Sequence, residues 1–449
     1  MAFALRTNRA GGIRNAFETR DTNPRTCYGD AQARAGRIAG ERRSWHGVRN
    51  GSASGKAIRF RRRRAAAVSP VVRGTDYFRP VRCILGIPVD AVSTEDARRI
   101  VEGAVERGER CFISTPNLNF LVSSMSDTEF RNSVIRSDLS LPDGQPLVWL
   151  ARFLGCPVVE RVAGASLFEQ LRERCQQKLR LYIFGGPDGA AERAASKVNQ
   201  QGGPLLCAGA ESPGYGSVQD LSQDEYISRI NDSKADFLVV SLGAKKGQAW
   251  IEENLDRIQV PVVSHLGAVV NLLAGRIRRA PPSVQRLGCE WLWRIKEEPI
   301  LWRRYLHDGV KFLALIITRA IPAAMLSRKL AGNRAGLRRA HISIQRQPES
   351  WLLKLSGGWA EANLMPLRQA LARVGRSRAA LVLDMSRVEY LDAAAIGLLL
   401  LAYGHQSKQG RELVLHNVPA RIRTLLHMYC VDHLLEHRSG GNKQSFRRG

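Results

Sequence analysis

The 449-residue chain has no Asp-x-Asp pair, no Cys-x-x-Cys and no Cys/His spacing of a metal site. Without paired carboxylates there is no ready clamp for a divalent ion on a phosphorylated ligand. The eight cysteines are scattered, and Cys83 and Cys111 sit in apolar runs, so they read as small core hydrophobes of a reducing compartment. Neither a Walker loop nor Gly-x-Gly-x-x-Gly occurs. Residues 1–20 lack the apolar segment of a secretory signal, and the best candidate span, Val310 to Leu326, is broken by Lys311, Arg319 and Pro322. Acids are scarce: 41 Asp and Glu face 68 Lys and Arg, a net charge of +27. Such a balance favours a polyanionic partner, whether nucleic acid, an anionic membrane or a phosphorylated substrate. No nucleic-acid recognition signature accompanies it, and nucleic-acid binding is not expected.

The excess is uneven. Residues 1–74 hold sixteen Arg and one Lys against four acids, and include Arg61-Arg62-Arg63-Arg64. Residues 1–76 are expected to be a disordered basic leader. This stretch reads as a tail, as untranslated upstream sequence, or as a transit peptide; with no Met between Met1 and Met125, a true start near residue 76 would need a non-standard initiator. From Cys83, short apolar strands alternate with helices, the signal of a largely parallel sheet. Strands are expected over 82–87, 111–114, 180–184, 236–241 and 260–265. Helices are expected from Ser93, over 127–137, 144–154, 166–177, 190–199 and 226–233. Residues 77–275 form this α/β core. Residues 276–330 are a helical appendage in which Trp291, Trp293, Trp302 and Tyr305 interleave with Arg294, Lys296, Arg303 and Arg304. A linker (331–340), a second α/β unit (341–437) and a disordered tail (438–449) follow.

Ligands of open α/β sheets bind beyond the carboxyl ends of the strands. Thr115-Pro116-Asn117-Leu118-Asn119 leaves one such end, and Leu141-Pro142-Asp143-Gly144 fixes a lone carboxylate in a turn. Asp143 reads either as the cap of the helix that follows or as a reactive carboxylate. Gly185-Gly186-Pro187 and Gly243 mark two further strand ends, suited to phosphate or to plain tight turns. Arg276, Arg278, Arg279 and Arg286 supply cations for a diphosphate in place of a metal.

Eight motifs then occur in order: Thr115-Pro116-Asn117, Leu141-Pro142-Asp143-Gly144, Glu160-Arg161-Val162-Ala163-Gly164, Gly185-Gly186-Pro187, Pro213-Gly214-Tyr215-Gly216, Ser241 to Lys246, Arg279-Ala280-Pro281, and Glu290 to Arg294 with Glu298-Pro299. In this respect residues 83–308 resemble the WecG/TagA/CpsF glycosyltransferases. The resemblance implies a Rossmann-like, largely parallel sheet with a helical appendage that closes the site at the membrane. It implies transfer of an N-acetylmannosamine-type sugar from UDP to a polyprenyl-diphosphate-linked acceptor at the inner membrane face, without cofactor or metal. Asp143 would be the base. Thr115, Asn117, Asn119, Arg161, Gly164, Gly185, Gly186, Gly243, Lys246 and Gln248 would bind substrate, and the four arginines the diphosphate. Two departures stand out. The family often has Pro-Lys-Gln-Glu where this chain has Lys245-Lys246-Gly247-Gln248, and often Asp where Asn271 stands.

Residues 341–436 resemble the STAS domain of anti-anti-sigma factors and sulfate transporters, through Leu383-Asp384-Met385-Ser386 and Tyr390-Leu391-Asp392-Ala393-Ala394. Phospho-switched members carry Ser where Ala393 stands, so the usual switch is expected to be absent. The module reads as a docking or scaffolding domain with a protein partner. A homo-oligomer is compatible with these features. The rival functional class is a nucleotide-sensing regulator on a degenerate transferase fold.

Overall fold

The computed structural model describes residues 75–436 except 159, 332–336, 338 and 378, and leaves the side chains of Arg286 and Ala331 undescribed. The expected basic leader, apart from its last two residues, most of the linker and the 438–449 tail lie outside the described residues.

The described chain opens with an antiparallel hairpin, β1 (Val81–Ile84) and β2 (Ile87–Asp90). This replaces the single strand expected over 82–87. Its two-residue turn has both Leu85 (φ 43°) and Gly86 (φ 88°) in the left-handed region, the pattern of a type I′ turn. Leu rarely adopts such a φ; here Leu85 is fully buried, and that burial offsets the strain. Helix α1 (Thr94–Arg107) begins at Ser93 with a reciprocal capping box to Asp96 and stops at Gly108, which is left-handed.

The core then runs through β3 (Cys111–Ser114), α2 (Leu118–Ser124), α3 (Thr128–Arg136), β4 (Leu139–Ser140), α4 (Gln145–Phe153) and α5 (Gly164–Arg174). It continues with β5 (Leu179–Gly185), α6 (Ala190–Gln201), β6 (Leu205–Glu211), α7 (Asp224–Asp232), β7 (Phe237–Ser241), α8 (Ala244–Asn254), β8 (Val262–His265) and α9 (Gly267–Leu273). The six core strands form one parallel sheet in the order β4-β3-β8-β7-β5-β6. Strands buried on both faces explain the continuous apolar runs that marked β3, β5 and β7 in the sequence. Helix α3 packs with α8, whereas α9 packs with α5 and α6. The connections that leave the adjacent strands β3 and β8 therefore turn to opposite faces, and a crevice opens between their carboxyl ends.

The appendage comprises α10 (Pro282–Arg286), α11 (Glu290–Glu297), α12 (Trp302–Leu315) and α13 (Ile321–Ala331). Between the last two lies a π-helical turn, Ile316–Ala320. Pro322 has no N–H and would crowd the carbonyl four residues earlier, and the wider turn just before it absorbs the mismatch. The helix is thus bent in its hydrogen bonding but not broken. By length and composition the 32-residue stretch Pro299–Leu330 is apolar enough to cross a membrane, contrary to the sequence-based expectation. One face is nonetheless held by protein: Asp308, Ala320 and Ala323 are buried.

The C-terminal unit contains β9 (His341–Arg346), β10 (Ser350–Trp359), α14 (Met365–Gly375), β11 (Ala380–Leu391), α15 (Ala393–Lys408), β12 (Leu413–His416) and α16 (Ala420–Met428). Its sheet runs β12-β11-β10-β9, with β9 antiparallel. Helix α15 is apolar all round because it is buried all round. Two of its glycines make room for the transferase core. A methyl group on Gly397 would stand 3.1 Å from the Arg82 backbone, and one on Gly404 2.8 Å from the Ile135 carbonyl. One hydrophobic cluster consequently joins the hairpin, α3 and α4 to the C-terminal unit.

Polar groups cross the same contact. Arg368 of α14 donates to the carbonyls of Tyr77 (2.6 Å) and Arg79 (2.8 Å). The Arg79 guanidinium pairs with the fully buried Asp90 at 2.6 and 2.8 Å and donates to the carbonyls of Ser137 and Asp138. Asp90 also accepts the backbone N–H of Ser140 in β4 at 2.7 Å. Removing one partner of a buried pair leaves the other charge uncompensated, at a cost of about 3–5 kcal/mol. Asp90→Ala is therefore expected to destabilise the full chain by about that amount, read as a lowered midpoint in chemical denaturation; an unchanged midpoint would refute the role of this pair.

Candidate active site

Two loops meet at the mouth of the β3/β8 crevice, and backbone bonds stitch them together. The Asp143 N–H donates to the Pro116 carbonyl at 2.8 Å, and the Val162 N–H donates to the Pro142 carbonyl at 3.0 Å. Gly144 permits this approach, since a methyl group there would stand 3.3 Å from Asn117 Cβ. The turn thus holds Asp143 above the end of β3, beside buried Thr115.

Asp143 does not cap the helix that follows it. The N-cap of α4 is Gly144, and no side chain caps it. The carboxylate instead reaches α5, where it accepts the first N–H of that helix, from Gly164, at 3.4 Å. Gly164 packs against Leu266, leaving no room for a side chain, and lies near the Thr115 methyl. Asp143 is part-exposed, with protein crowding it on its other sides. That burial pushes its pKa up to about 6, against the opposing pull of Arg161, the Gly164 N–H and Arg294; the Glu290 carboxylate adds to the rise.

Arg161 lies beside it in a two-pronged ion pair with Glu290 of α11, at 2.5 and 3.0 Å. Asn119 is likewise engaged by the appendage: its amide donates to Asp308 of α12 at 3.0 Å. Arg279 donates to Ser166 and pairs with Glu169, both on α5. Three polar contacts therefore latch the appendage over the Asp143 pocket. Arg276 and Arg278 are exposed, and the Arg278 backbone is held by Glu297 and Trp293. Arg286 falls in α10, its side chain undescribed.

The remaining expected residues divide. Asn117 caps α2, accepting the Phe120 N–H at 3.2 Å. Gly185 and Gly186 adopt φ near +99° and +98° at the end of β5; a side chain on Gly185 would strike the Ser241 carbonyl. Gly243 is exposed, at φ 80°, and opens α8 without a side-chain cap. Lys246 donates to the Gly216 carbonyl at 2.6 Å, tying down the Pro213–Gly216 loop. Gln248 is fully buried at the sheet end, where it donates to Ser114, the last residue of β3, at 2.9 Å.

Sequence reasoning did not single out Glu290, Asp308 or His265. The first lay inside a quoted motif, but its partner Arg161 is 129 positions away. No local signal marked Asp308, whose burial on an otherwise exposed helix is set by Asn119. Nor did anything local mark His265, at the end of β8. Among the described residues no group of three His, Cys, Asp or Glu side chains could hold a metal ion.

Comparison with known proteins identifies relatives of both parts of the chain. The model of the glycosyl transferase WecG/TagA/CpsF family matches residues 82–324, and that of the Mlab STAS domain matches residues 342–436. An N-acetylglucosaminyldiphosphoundecaprenol N-acetyl-beta-D-mannosaminyltransferase of Bacillus spizizenii is 26% identical over 219 residues, 49% of this chain and 83% of that enzyme. The enzyme of the same name from Bacillus subtilis is 28% identical over 43% of this chain and 74% of its own length, and that from Staphylococcus aureus 25% identical over 43% and 73%. An anti-sigma factor antagonist from Mycobacterium paratuberculosis is similar at 21% identity over 21% of this chain and 82% of its own, with a TM-score of 0.20. With the transferase match spanning more than half of its length, the chain belongs to the WecG/TagA/CpsF glycosyl transferase family.

Proposed function

We propose that this protein transfers a hexose, of the N-acetylmannosamine type or a relative of it, from a UDP-sugar to a polyprenyl-diphosphate-linked saccharide, with inversion and without a metal. The observation that carries this reading is Asp143, a part-exposed carboxylate with a raised pKa beside Arg161 at the mouth of the crevice. A base of pKa about 6 is largely deprotonated at neutral pH, yet basic enough to accept a proton. Asp143 takes the proton of the acceptor hydroxyl as its oxygen attacks the anomeric carbon from the face opposite the nucleotide. The nucleoside diphosphate leaves with the bonding electron pair, its charge met by arginines and backbone N–H groups. Metal independence is supported by the lack of any Asp-x-Asp pair and by the supply of arginine after Gly275.

The lipid end of such an acceptor needs a membrane, and we assign that contact to the appendage. Leu306, Val310, Leu313 and Ile317 recur at helical spacing along α12 and the π turn, and each is 57–62% exposed. Exposed Trp302, Arg303 and Arg304 begin this helix, with Arg303 over the Trp302 ring and Arg304 over Tyr305. An apolar stripe flanked by aromatic and cationic side chains suits the headgroup boundary. The opposite face stays on the protein through Asp308 and Ala320, which supports a helix lying along the membrane surface rather than crossing it.

Four experiments test the proposal. Incubation with a panel of UDP-sugars and a short-chain polyprenyl-diphosphate acceptor is expected to give a product heavier by one hexose-type unit. Asp143→Asn should lower turnover by about 10²–10⁴-fold while leaving UDP binding intact, and full activity would sink the assignment. The pH dependence has two signs. Wild-type kcat/KM should fall as pH drops through about 6, where the base is protonated. Stability runs the other way: because the folded pKa lies above the ordinary 3.8, the protonated carboxyl favours the fold, and that contribution is lost as pH rises from about 4 through about 6. Asp143→Asn should therefore melt higher than wild type at pH 7, with the gap closing near pH 4. Finally, Leu306→Ser with Val310→Ser and Leu313→Ser should abolish flotation with anionic liposomes without lowering the melting temperature; unchanged flotation would remove the membrane assignment.

A further inference from the structure

The strand end that the sequence analysis left unexplained is that of β8. His265 sits there, at the rim of the β3/β8 crevice, and packs against α8 at Gly247 with its Cδ2 nearest that glycine. Any side chain at 247 would collide with the imidazole Cδ2. Gly247 lies where the chain departs from the Pro-Lys-Gln-Glu pattern, so the missing side chain and the histidine occupy one space. The imidazole Nε2 is shielded from solvent and has no hydrogen-bond partner. A methyl group on Gly267 would stand 3.3 Å from that Nε2 and 3.5 Å from Ser241 Oγ, and one on Gly186 would stand 3.8 Å from the same Oγ. Three strand ends, β5, β7 and β8, thus bring two polar side chains together among glycines. Burial lowers the His265 pKa to about 4, so the ring is neutral at working pH.

An unpartnered buried polar atom is costly unless something fills it. Glycines at strand ends leave room for a ligand to approach the backbone. We propose that His265 donates a hydrogen bond from its imidazole to the diphosphate of the nucleotide-sugar donor, from the space that a side chain at position 247 would otherwise occupy. Gly247 is then a positioning residue, holding the ring by its lack of a side chain, and Ser241 offers a second donor from β7. This assignment rests on the transferase reading. It makes the crevice end of β8 the donor side of the site, and the Asp143 turn at the end of β3 the acceptor side.

The test uses the full chain, labelled with ¹⁵N-histidine, and UDP as the probe. Addition of UDP is expected to shift the imidazole signal that His265→Ala removes. His265→Ala should weaken UDP binding by about tenfold, the worth of one hydrogen bond to a charged group, with melting temperature held as a control for folding. His265→Gln, whose Nε2 reaches a similar place, should recover much of the affinity; a merely structural ring would not be rescued in binding alone. Gly247→Ala should also weaken UDP, by displacing the ring, and His265→Gly in that background should relieve the strain but not the affinity. UDP binding that is equal in wild type and His265→Ala would overturn the proposal and leave the transferase reading standing. No UDP binding by the wild-type chain would overturn both.

Discussion

A single buried carboxylate, Asp90, ties together the parts of this molecule that the sequence presents as separate domains. It sits on the second strand of the hairpin and is closed to solvent, so its charge must be met within the protein. Arg79 meets it from one side and the Ser140 N–H from another. Arg368 of the STAS unit binds the carbonyl of Arg79, and Ser140 lies three residues before Asp143. A line of hydrogen bonds therefore runs from α14 of the STAS unit through Arg79 and Asp90 to the base of the Asp143 loop. Ser140 reinforces it by donating through its hydroxyl to the Pro88 carbonyl at 2.6 Å. The STAS unit thus behaves as a wall of the transferase rather than as a tethered passenger.

The appendage is joined to the same loops by a different kind of contact. The Arg161–Glu290 pair and the Asn119–Asp308 bond each link one residue of the Asp143 pocket to one residue of the helices above it. Glu290 also helps to hold the Asp143 pKa high. Any movement of α11 that took Glu290 from Arg161 would free a guanidinium for an anionic substrate and lower the base's pKa in the same step. Because α12 carries both Asp308 and the exposed apolar stripe, a surface that engages the stripe acts directly on the site. The appendage and the Asp143 carboxyl are thus linked through side chains that touch.

The α/β alternation was legible where core strands are buried on both faces and so appear as apolar runs, as in β3, β5 and β7; the part-exposed edge strand β6 and the two-residue β4 gave no such signal. Helix α1 was legible because its start is encoded locally, in Ser93 and Asp96. The hairpin was not, because its turn uses a leucine at positive φ, held by packing that comes from residues more than 300 positions away. The appendage was expected to be helical, but Pro299–Leu330 was not expected to run as one long apolar stretch: Lys311, Arg319 and Pro322 read as breaks, yet the basic side chains leave the apolar stripe intact and a π turn accommodates the proline. At the site, the motifs at 115–117, 141–144 and 160–164 lie against one another. What their order could not reveal was which expected binding residues are already engaged: Arg161 with Glu290, Asn119 with Asp308, Gln248 with Ser114.

The replacement of a phosphorylatable serine by Ala393 has a structural counterpart. Ala393 is 7% exposed, and Ala394 and Ala395 that follow are buried still more deeply at the start of α15. Asp392 already caps that helix, accepting the Ala395 N–H at 2.8 Å, and accepts the Glu361 N–H as well. A phosphate at 393 would place close to two further negative charges beside this carboxylate, in a site with little access to water. Such a group would oppose the packing of α15 on Arg82 and Ile135, and with it the line of contacts that reaches Asp143. Loss of the hydroxyl and burial of the helix face are therefore two expressions of one constraint: a STAS helix that serves as permanent core for a neighbouring transferase cannot also carry a charge-driven release.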